Sequence, residues 1–442
     1  MAETPAASEA AHPDAATRRE VLSTFGAATA SALAGCSTAD GGRLDVSETA
    51  LRDEVTPVRL RGFPADTSVT VAATGTYEGT PVASATTVTT GSDGTATVGD
   101  ADDPAAAMRW LWSMSPSETA SPTATEGTPP SLTVDLAARV DGERVATATQ
   151  TRRYVAPDVT RRSIDREDLV GELFLPAGSG PHPGVLVLHG SGGVPLVSWG
   201  RLLAAHGLAA LAVDYFGPAS GNPGSFVSVP LSYFDRAARL LRDRDAVRDG
   251  AVGVVGASRG TEAALLSGVH FDWVGAVAAL APSCYVWRGE EPTVPAWRLD
   301  GEPVPYLDFP RDDGDRVLAP AFRGTLREAS DEAVAAATIP VEEVGAPLLF
   351  VSGGDDRLWP SGTFANRAVR RLERHGDASR ARHLHYEDAG HAVSLPPYIP
   401  TWWTTETERY VLGGTPAANA RATADAWPST LSVLRDALGA DG

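Results

Sequence analysis

The feature that most constrains the fold is a serine between two glycines, placed between a buried strand and a helix. An apolar run at 251–255 leads directly into residues 256–260 (GASRG), and a helical stretch follows at 261–266. A continuous apolar run is typical of a parallel strand that is buried on both faces. Small residues allow the strained turn that exposes a serine hydroxyl. The pattern therefore predicts a nucleophile elbow in which Gly256 and Gly260 flank a catalytic Ser258.

The chain around this elbow alternates between apolar strands and helical stretches. Strand patterns occur at 185–188, 209–213, 275–280, 347–351 and 382–386, and helical patterns at 199–205, 232–244 and 365–375. Repeated strand–helix units favour a doubly wound, mostly parallel sheet with helices on both faces. We therefore predict an α/β-hydrolase catalytic domain over residues 158–442.

In this architecture the nucleophile is followed along the chain by an acid and then a histidine. Asp356 follows the strand at 347–351, and we interpret the neighbouring Asp355 as a turn residue. His391 follows the strand at 382–386 on a loop that contains glycine. His391 is predicted to accept the proton of the Ser258 hydroxyl. Asp356 is predicted to orient the imidazole of His391 and to stabilise its positive charge.

An oxyanion hole requires two backbone N–H groups aimed at the developing negative charge. One is predicted to be that of Arg259, which follows the nucleophile. The other is predicted from the glycine-rich loop 189–193 (HGSGG), where either Ser191 or Gly192 could donate.

A β-rich domain precedes the catalytic one. Short Val- and Thr-rich strands, separated by turn signals such as Ser92-Asp93-Gly94, predict an immunoglobulin-like β-sandwich over residues 48–157. The aromatic cluster 108–114 (MRWLWSM) favours core packing, with a ligand path or a domain interface as the alternatives. The Ser/Thr/Pro-rich stretch 115–130 predicts an extended loop.

The first 36 residues have the pattern of an export signal. An Arg18-Arg19 pair precedes an apolar stretch that is too short to span a bilayer, and Leu-Ala-Gly-Cys at 33–36 is similar to a lipobox. Residues 37–47 would then be a flexible tether. We predict export and attachment to the outer face of the cell membrane through a lipid on Cys36. A chance arginine pair in an N-terminal tail would instead imply a cytoplasmic protein.

Composition limits the partners. The 37 basic residues are all arginine, and 56 acidic residues give a formal net charge of -19, so nucleic-acid binding is improbable on electrostatic grounds. This pattern suggests a salt-adapted organism, with GC-driven codon bias as the alternative. Two cysteines form no disulfide scaffold, and no ligand cluster predicts a metal or another cofactor.

Several motifs together resemble the acyl-CoA thioesterases and bile acid-CoA:amino acid N-acyltransferases. The motifs are LRDEVTPVRL at 51–60, MRWLWSM at 108–114, GELFLP at 171–176, GVVGASRG at 253–260, IPVE at 339–342, GDDRLW at 354–359, FANRA at 364–368 and GHAVSLPPYIP at 390–400. The resemblance implies the triad Ser258, Asp356 and His391, an N-terminal immunoglobulin-like domain, and hydrolysis of acyl-CoA thioesters. Thr261 departs from the family, which commonly has glycine there. The family's acyltransferases use a cysteine nucleophile, whereas Cys284 lies outside this elbow.

The expected activity is therefore that of a serine hydrolase that cleaves acyl-CoA thioesters to free fatty acid and coenzyme A, and the expected partner is a small-molecule acyl-CoA or acyl ester substrate. The alternatives are a broader carboxylesterase or dienelactone-hydrolase-like enzyme acting on exported substrates, an acyl-CoA-dependent N-acyltransferase, and a lipid-anchored binding protein without catalysis. An intact triad argues against the last of these.

The lipid anchor predicts that Cys36→Ala releases the protein from membranes, because the variant has no thiol to acylate. Fractionation of cells that express either form measures this. Cys284→Ala, which also removes a thiol, is the control and should leave the distribution unchanged. Equal membrane partitioning of the Cys36→Ala variant and the wild type would contradict the lipobox interpretation.

Overall fold

A computed structural model describes residues 41–100, 102–116, 131–217, 224–312 and 314–440 of the chain. The predicted leader, Cys36 and most of the predicted loop at 115–130 lie outside the described residues. The chain divides into two compact units, the first with the described residues 41–49, 55–116 and 132–151, the second with 50–54, 131 and 152–440. Among the described residues, no helix combines the length and the apolar character needed to cross a membrane.

The chain up to residue 153 is built from β-strands and two short helices, and the pairs β1–β3, β3–β6, β4–β5 and β4–β7 are antiparallel. The elements are β1 (Arg43–Asp45), β2 (Thr49–Leu51), β3 (Arg59–Arg61), β4 (Ser68–Tyr77), β5 (Thr80–Thr89), β6 (Ala96–Thr97), α1 (Pro104–Ala107), α2 (Arg109–Trp112), β7 (Ser131–Val140) and β8 (Glu143–Arg153). Among the described residues the strand orders are β1-β3-β6 in one sheet and β2-β8-β7-β4-β5 in the other. The antiparallel character follows the predicted alternation, while the immunoglobulin-like assignment stays a prediction.

Tight turns set the pairing of the longest strands in this part of the chain. Glu78 (φ 47°) and Gly79 (φ 80°) connect β4 to β5, and Asp141 (φ 49°) and Gly142 (φ 85°) connect β7 to β8. Two consecutive residues with positive φ form the hairpin turn whose twist matches that of the flanking strands. The cluster at 108–114 lies inside the first unit, where Met108, Trp110, Leu111 and Met114 are buried. These four side chains therefore serve the core, as the sequence favours.

After residue 157 the elements alternate in type. They are β9 (Thr160–Arg166), β10 (Leu169–Leu175), β11 (His182–Leu188), α3 (Val197–Ala205), β12 (Ala209–Asp214), β13 (Val229–Pro230), α4 (Ser232–Arg242), β14 (Val247–Ala257), α5 (Gly260–His270), β15 (Val274–Leu280), β16 (Trp297–Leu299), β17 (Glu302–Pro303), α6 (Ala319–Glu328), α7 (Asp331–Ala337), β18 (Leu348–Gly353), α8 (Ser361–His375), β19 (Ala381–Tyr386) and α9 (Pro416–Leu438). Short 3-10 turns occupy Val341–Glu343, Ala378–Arg380 and His391–Ser394.

The main sheet of the second unit is mostly parallel. Among the described residues its eight strands have the order β19-β18-β15-β14-β11-β12-β10-β9. All pairs from β19 to β12 are parallel, and β10 pairs antiparallel with both β12 and β9. The predicted doubly wound, mostly parallel α/β architecture is thus confirmed.

The sheet is buried on both faces, which explains why its strands are continuous apolar runs. In β11, Leu186 and Leu188 pack in a cluster with α4, α5 and α8. The alternate residues Val185 and Val187 pack in a second cluster with α3 and α9. Burial of large aliphatic side chains contributes about 1.5–3 kcal/mol each, so the central strands stabilise this unit strongly.

Some elements differ from the predictions. The strand and helix patterns of the sequence do not predict β9, β10 or α9. Six of the seven β9 residues are exposed, so this edge strand lacks the alternation of a half-buried one. Pro428 lies inside α9, where proline is strongly disfavoured. The first half of α9 has no large apolar side chain before Trp427, so its helical periodicity is weak.

The segment 50–54 is attached to the body of the second unit through a buried carboxylate. Asp53 accepts hydrogen bonds from His206 Nε2 and from Trp427 Nε1 (2.7 Å). Burial alone would raise the pKa of Asp53. The hydrogen bond and the charge of His206, together with the hydrogen bond from Trp427, outweigh this effect, so the pKa lies below its ordinary value of 3.8. The charged form is therefore the one that the folded protein stabilises.

Asp53→Asn should lower the stability of the second unit by about 1–3 kcal/mol near pH 7, because buried polar partners lose a charged acceptor. A carboxylate whose pKa is lowered in the folded state stabilises the fold at pH values above its ordinary pKa of 3.8. That stabilisation is lost as the pH falls through the folded-state pKa. The difference between wild type and variant in thermal unfolding should therefore shrink below about pH 4. Asp168→Asn removes an exposed partner of Arg236 and should have little effect at either pH.

Candidate active site

Ser258 lies at the carboxyl end of β14, immediately before α5. Its backbone is left-handed, with a φ of 54°, and such strain in a non-glycine residue is typical of functional turns. The Ser258 N–H donates to the Leu280 carbonyl (2.9 Å). Its carbonyl accepts from the N–H (2.9 Å) and from the hydroxyl (2.6 Å) of Thr261. Thr261, the departure from the family pattern, thus holds the turn in place.

Both elbow glycines are required by close backbone approach. A β-carbon on Gly256 would lie 2.5 Å from the Gly260 carbonyl oxygen, and one on Gly260 would lie 2.5 Å from the oxygens of Leu188 and His189. These contacts press the turn against the end of β11. The Arg259 N–H lies at the N-terminus of α5, where backbone N–H groups have no partner within the helix, so it can donate to an oxyanion.

Asp356 and His391 are brought together at the ends of β18 and β19. His391 Nδ1 lies 2.9 Å from Asp356 Oδ2, and both side chains are buried. Asp356 also accepts from the Ser361 hydroxyl (2.6 Å) and from the N–H groups of Leu358 (3.0 Å) and Trp359 (3.2 Å). A carboxylate that is satisfied in this way can remain charged while buried, and it fixes the imidazole so that Nε2 is available as a base.

Asp355 has a different environment from its neighbour. Its carboxylate accepts from the Gly414 N–H (2.9 Å) and pairs with Arg357 (2.9 Å), and the side chain is 41% exposed. It supports the turn, as the sequence interpretation has it, and it does not contact His391.

The loop that carries His391 is held by residues distant in the sequence. Asn419 of α9 accepts from the Gly390 N–H through Oδ1 (2.8 Å) and donates to the Thr404 carbonyl through Nδ2 (3.2 Å). The His391 N–H donates to the Leu412 carbonyl (2.9 Å). Asn419 is 1% exposed, so this contact is an internal support of the histidine position.

The glycine-rich loop after β11 reaches Ser258 through Gly190. A β-carbon on Gly190 would lie 3.0 Å from Ser258 Cβ and 3.5 Å from Ser258 Oγ. Ser191 lines the same pocket as Ser258. Ser191 and Gly192 are both exposed, but Gly192 is not among the residues that line this pocket. Of the two predicted donors, the geometry therefore favours Ser191 over Gly192.

Side chains beneath this loop fix its carbonyl groups. The Tyr215 hydroxyl donates to the His189 carbonyl, and the two rings stack with centroids 4.0 Å apart. His189 Nδ1 donates to the Gly190 carbonyl (2.7 Å). Burial lowers the pKa of His189 to about 4, so its ring is neutral at pH 7. The two carbonyl groups that precede Ser191 are thereby fixed.

Ser258 opens into a pocket with apolar and arginine-rich walls. Its lining residues are Ser191, Phe226, Ser258, Arg259, Arg288, Gly289, Glu290, Phe309, Arg311, Leu318, Phe322, Leu358, Trp359, Arg409 and Tyr410. Trp359 connects the two halves of the site, because it lines the pocket and its ring centroid lies 6.0 Å from that of His391.

A buried ion pair begins at Arg259, the residue that follows Ser258. Arg259 Nε lies 2.7 Å from Glu262 Oε1, and neither side chain is more than 8% exposed. Glu262 Oε2 also accepts from Trp297 Nε1 (2.8 Å). Burial raises the pKa of Glu262 to about 7, despite the opposing charge of Arg259. The pair therefore combines a close ion contact with an environment that disfavours the charged carboxylate.

The structure thus joins some of the predicted residues and leaves one pairing open. Within the described residues, no hydrogen bond joins Ser258 to His391, so their pairing stays a prediction; such contacts often tighten only when substrate is bound. No group of three or more His, Cys, Asp or Glu side chains in the described part of the chain could hold a metal ion. Asn419 and the pocket residues Arg288, Arg311 and Arg409 are absent from the sequence predictions, and Gly190 appears there only as part of the loop 189–193.

Comparisons with known proteins agree with the motifs. Residues 229–440 match the family described as BAAT / acyl-CoA thioester hydrolase, C terminal. Mouse acyl-coenzyme A thioesterase 6 is 32% identical over 295 residues, covering 65% of this chain and 67% of that protein. Mouse acyl-coenzyme A thioesterase 5 is 31% identical over 312 residues, covering 68% of this chain and 70% of that protein. Mouse acyl-coenzyme A amino acid N-acyltransferase 1 is 32% identical over 292 residues, covering 65% of this chain and 67% of that protein.

A solved structure of a dienelactone hydrolase-like promiscuous phosphotriesterase is also similar. It has a TM-score of 0.41 and 20% identity, and the match covers 64% of this chain and all of that one.

Asn419→Ala should impair the site without unfolding the protein. The Gly390 N–H would lose its buried acceptor at a cost of about 1–3 kcal/mol, and His391 would lose its fixed position. We expect a fall in kcat of roughly tenfold or more with a smaller change in KM. Thr423→Val, which removes a buried hydroxyl that bonds only to carbonyls of its own helix, is the control. Equal kcat values for the two variants would contradict this role.

Proposed function

Because the chain belongs to the BAAT / acyl-CoA thioester hydrolase family, we propose that it is a serine hydrolase that cleaves acyl-CoA thioesters to a free acid and coenzyme A. The observation that carries this proposal is that Ser258 and the Asp356–His391 pair lie at the same edge of the sheet, beyond the carboxyl ends of parallel strands. Ser258 stands on a strained turn in a pocket, and the buried Asp356–His391 pair stands on the adjacent loops.

In the proposed mechanism, Ser258 Oγ attacks the thioester carbonyl carbon while His391 Nε2 takes the hydroxyl proton. The N–H groups of Arg259 and Ser191 stabilise the oxyanion. Collapse of the tetrahedral intermediate breaks the carbon–sulfur bond, and the imidazolium returns the proton to the departing thiolate. Water, activated by the same histidine, then hydrolyses the serine ester and regenerates Ser258. Asp356 stays ionised throughout and stabilises the imidazolium.

Hydrolysis is favoured over acyl transfer by the identity of the nucleophile. An acyl group on serine is an oxygen ester, which is a poorer donor to amines than a thioester on cysteine. Cys284 offers no alternative, because it is 3% exposed and burial raises the pKa of its thiol to about 12. An amino acid acceptor added to the assay should therefore yield no acyl amide.

A second candidate is an esterase acting on exported or surface acyl esters, and the leader favours it. Coenzyme A is an intracellular compound, whereas residues 1–36 have the pattern of an export signal. The same triad would cleave either substrate, since the attacked group is an acyl carbonyl in both. Our proposal also includes export and lipid attachment through Cys36.

A substrate panel with matched variants tests the proposal. The wild type should hydrolyse acyl-CoA with a higher kcat/KM than aryl esters of the same acyl group. Ser258→Ala should reduce turnover by roughly three orders of magnitude or more while its thermal unfolding stays unchanged. Ser267→Ala, in the same helix and with a hydroxyl that has no partner among the described residues, should retain activity. Near-wild-type turnover by Ser258→Ala would reject the triad, and a preference for aryl esters would favour the second candidate.

A further inference from the structure

One face of the small sheet β1-β3-β6 carries three exposed arginines, in a chain whose formal net charge is -19. In the antiparallel pairing of β1 with β3, Arg43 lies opposite Arg61, and Asp45 lies opposite Arg59. Directly opposed residues of an antiparallel pair share a face, as do residues two apart along one strand. All four side chains therefore lie on the same face, and all four residues are exposed.

The other face of these two strands is buried in the first unit. Leu44 and Leu60 form the opposed pair between the charged ones, and they are 8% and 0% exposed. Because successive side chains of a strand alternate between the two faces, burial of this pair holds the charged side chains on the solvent side. The charged face is therefore a fixed surface of the first unit.

The positive charge of this face is only partly neutralised within the protein. Arg61 Nε lies 3.1 Å from Asp45 Oδ2, and both side chains are about half exposed. The side chains of Arg43 and Arg59 have no hydrogen-bond or ion-pair partner among the described residues. Thr97, which lies opposite Arg59 on β6, adds no charge. Three arginines against one aspartate leave an excess of positive charge, and like charges directly opposite each other are destabilising unless an anion lies nearby.

The predicted acylation site lies close to this face along the chain. Cys36 precedes Arg43 by seven residues, and an extended chain spans at most about 3.6 Å per residue. The two residues can therefore be no more than about 25 Å apart. The chain enters β1 in contact with the core, because a β-carbon on Gly42 would lie 2.6 Å from the ring of the buried Phe63. An acyl group on Cys36 would thus hold the start of β1 near the lipid headgroups.

We propose that the arginine face, formed by Arg43, Arg59 and Arg61, contacts the anionic headgroups of the membrane to which the protein is anchored. The inference rests on the lipid attachment in the proposed function and goes beyond it. A guanidinium group binds phosphate through paired N–H donors. Anionic lipids attract basic side chains only within about a Debye length of the surface, so the short tether and the charge of the face act together.

The net charge of the chain makes a local contact of this kind necessary. An anionic surface repels a protein of net charge -19 as a whole. That repulsion is screened over about 8 Å at physiological ionic strength, whereas arginines held at the surface interact with the nearest headgroups. A single acyl chain gives only marginal, reversible membrane binding, so an added electrostatic contact changes the fraction bound by a measurable amount.

A single-chain anchor on the full-length protein makes the contact measurable. Cys36 is coupled to a maleimide that carries one myristoyl group. Cys284 does not compete, because it is 3% exposed and burial raises the pKa of its thiol to about 12. Partition of the conjugate is measured by flotation at about 0.1 M salt. The vesicles consist of phosphatidylcholine alone or of phosphatidylcholine and phosphatidylglycerol in equal parts.

Two double variants of equal net charge separate the position of the arginines from their number. Arg43→Gln with Arg59→Gln removes the unpaired charges of the face. Arg109→Gln with Arg144→Gln, the control, removes two exposed arginines of the same unit that lie outside β1, β3 and β6. On vesicles with phosphatidylglycerol, the first variant should bind roughly tenfold or more weakly than the control. The difference should be absent on phosphatidylcholine alone and should shrink at about 1 M salt.

Equal binding of the two variants to the anionic vesicles would overturn the arginine face, as would an equal difference on both kinds of vesicle. All four substitutions are at exposed positions, so thermal unfolding should match that of the wild type. Because the acyl chain is attached chemically, the result does not depend on acylation in the cell. If fractionation shows that cells do not acylate Cys36, the lipid attachment fails while the measured lipid contact stands. If Cys36 is acylated and the variants bind equally, the arginine face alone fails.

Discussion

The left-handed turn at Ser258 is the constraint on which the remainder of the site depends. A non-glycine residue in this conformation costs of order 1–3 kcal/mol, and surrounding bonds must offset that cost. The turn is fixed on one side by the Leu280 carbonyl and on the other by Thr261. Because Gly260 packs directly on the carbonyls of Leu188 and His189, the same turn sets the position of the loop that reaches the nucleophile.

The acid and the histidine are positioned by a second set of backbone contacts. A β-carbon on Gly353 would lie 2.4 Å from the Ala389 carbonyl oxygen, and one on Gly390 would lie 2.2 Å from that of Gly413. The loops after β18 and β19 therefore touch through their main chains. Such contacts leave little freedom for the Asp356 and His391 side chains, so their hydrogen bond is preorganised rather than formed on demand.

The sequence predicts the parts of this site that depend on local pattern. The elbow, the strand before Asp356 and the glycine loop of His391 each combine a short motif with the apolar run of a buried strand. Asn419 could not be predicted in this way, because its role arises from a contact with Gly390 that crosses the fold from α9. The choice between Ser191 and Gly192 depended on the path of one loop, which no pattern of residue types specifies.

The pocket that contains Ser258 shows the same limit in its charges. Arg259 and Glu262 are one helical turn apart and pair as the sequence spacing allows. Arg288, Arg311 and Arg409 come from three separate loops, and in a chain rich in arginine nothing in the sequence distinguishes them from surface residues. A net charge of -19 suggests a protein that repels anions, yet the electrostatic field in this pocket is set mainly by the nearest groups, because exposed charges more than about 10 Å away are largely screened at 0.1 M salt. The negative net charge of the chain and the arginines that line this pocket are therefore compatible, and the net charge says little about what the pocket binds.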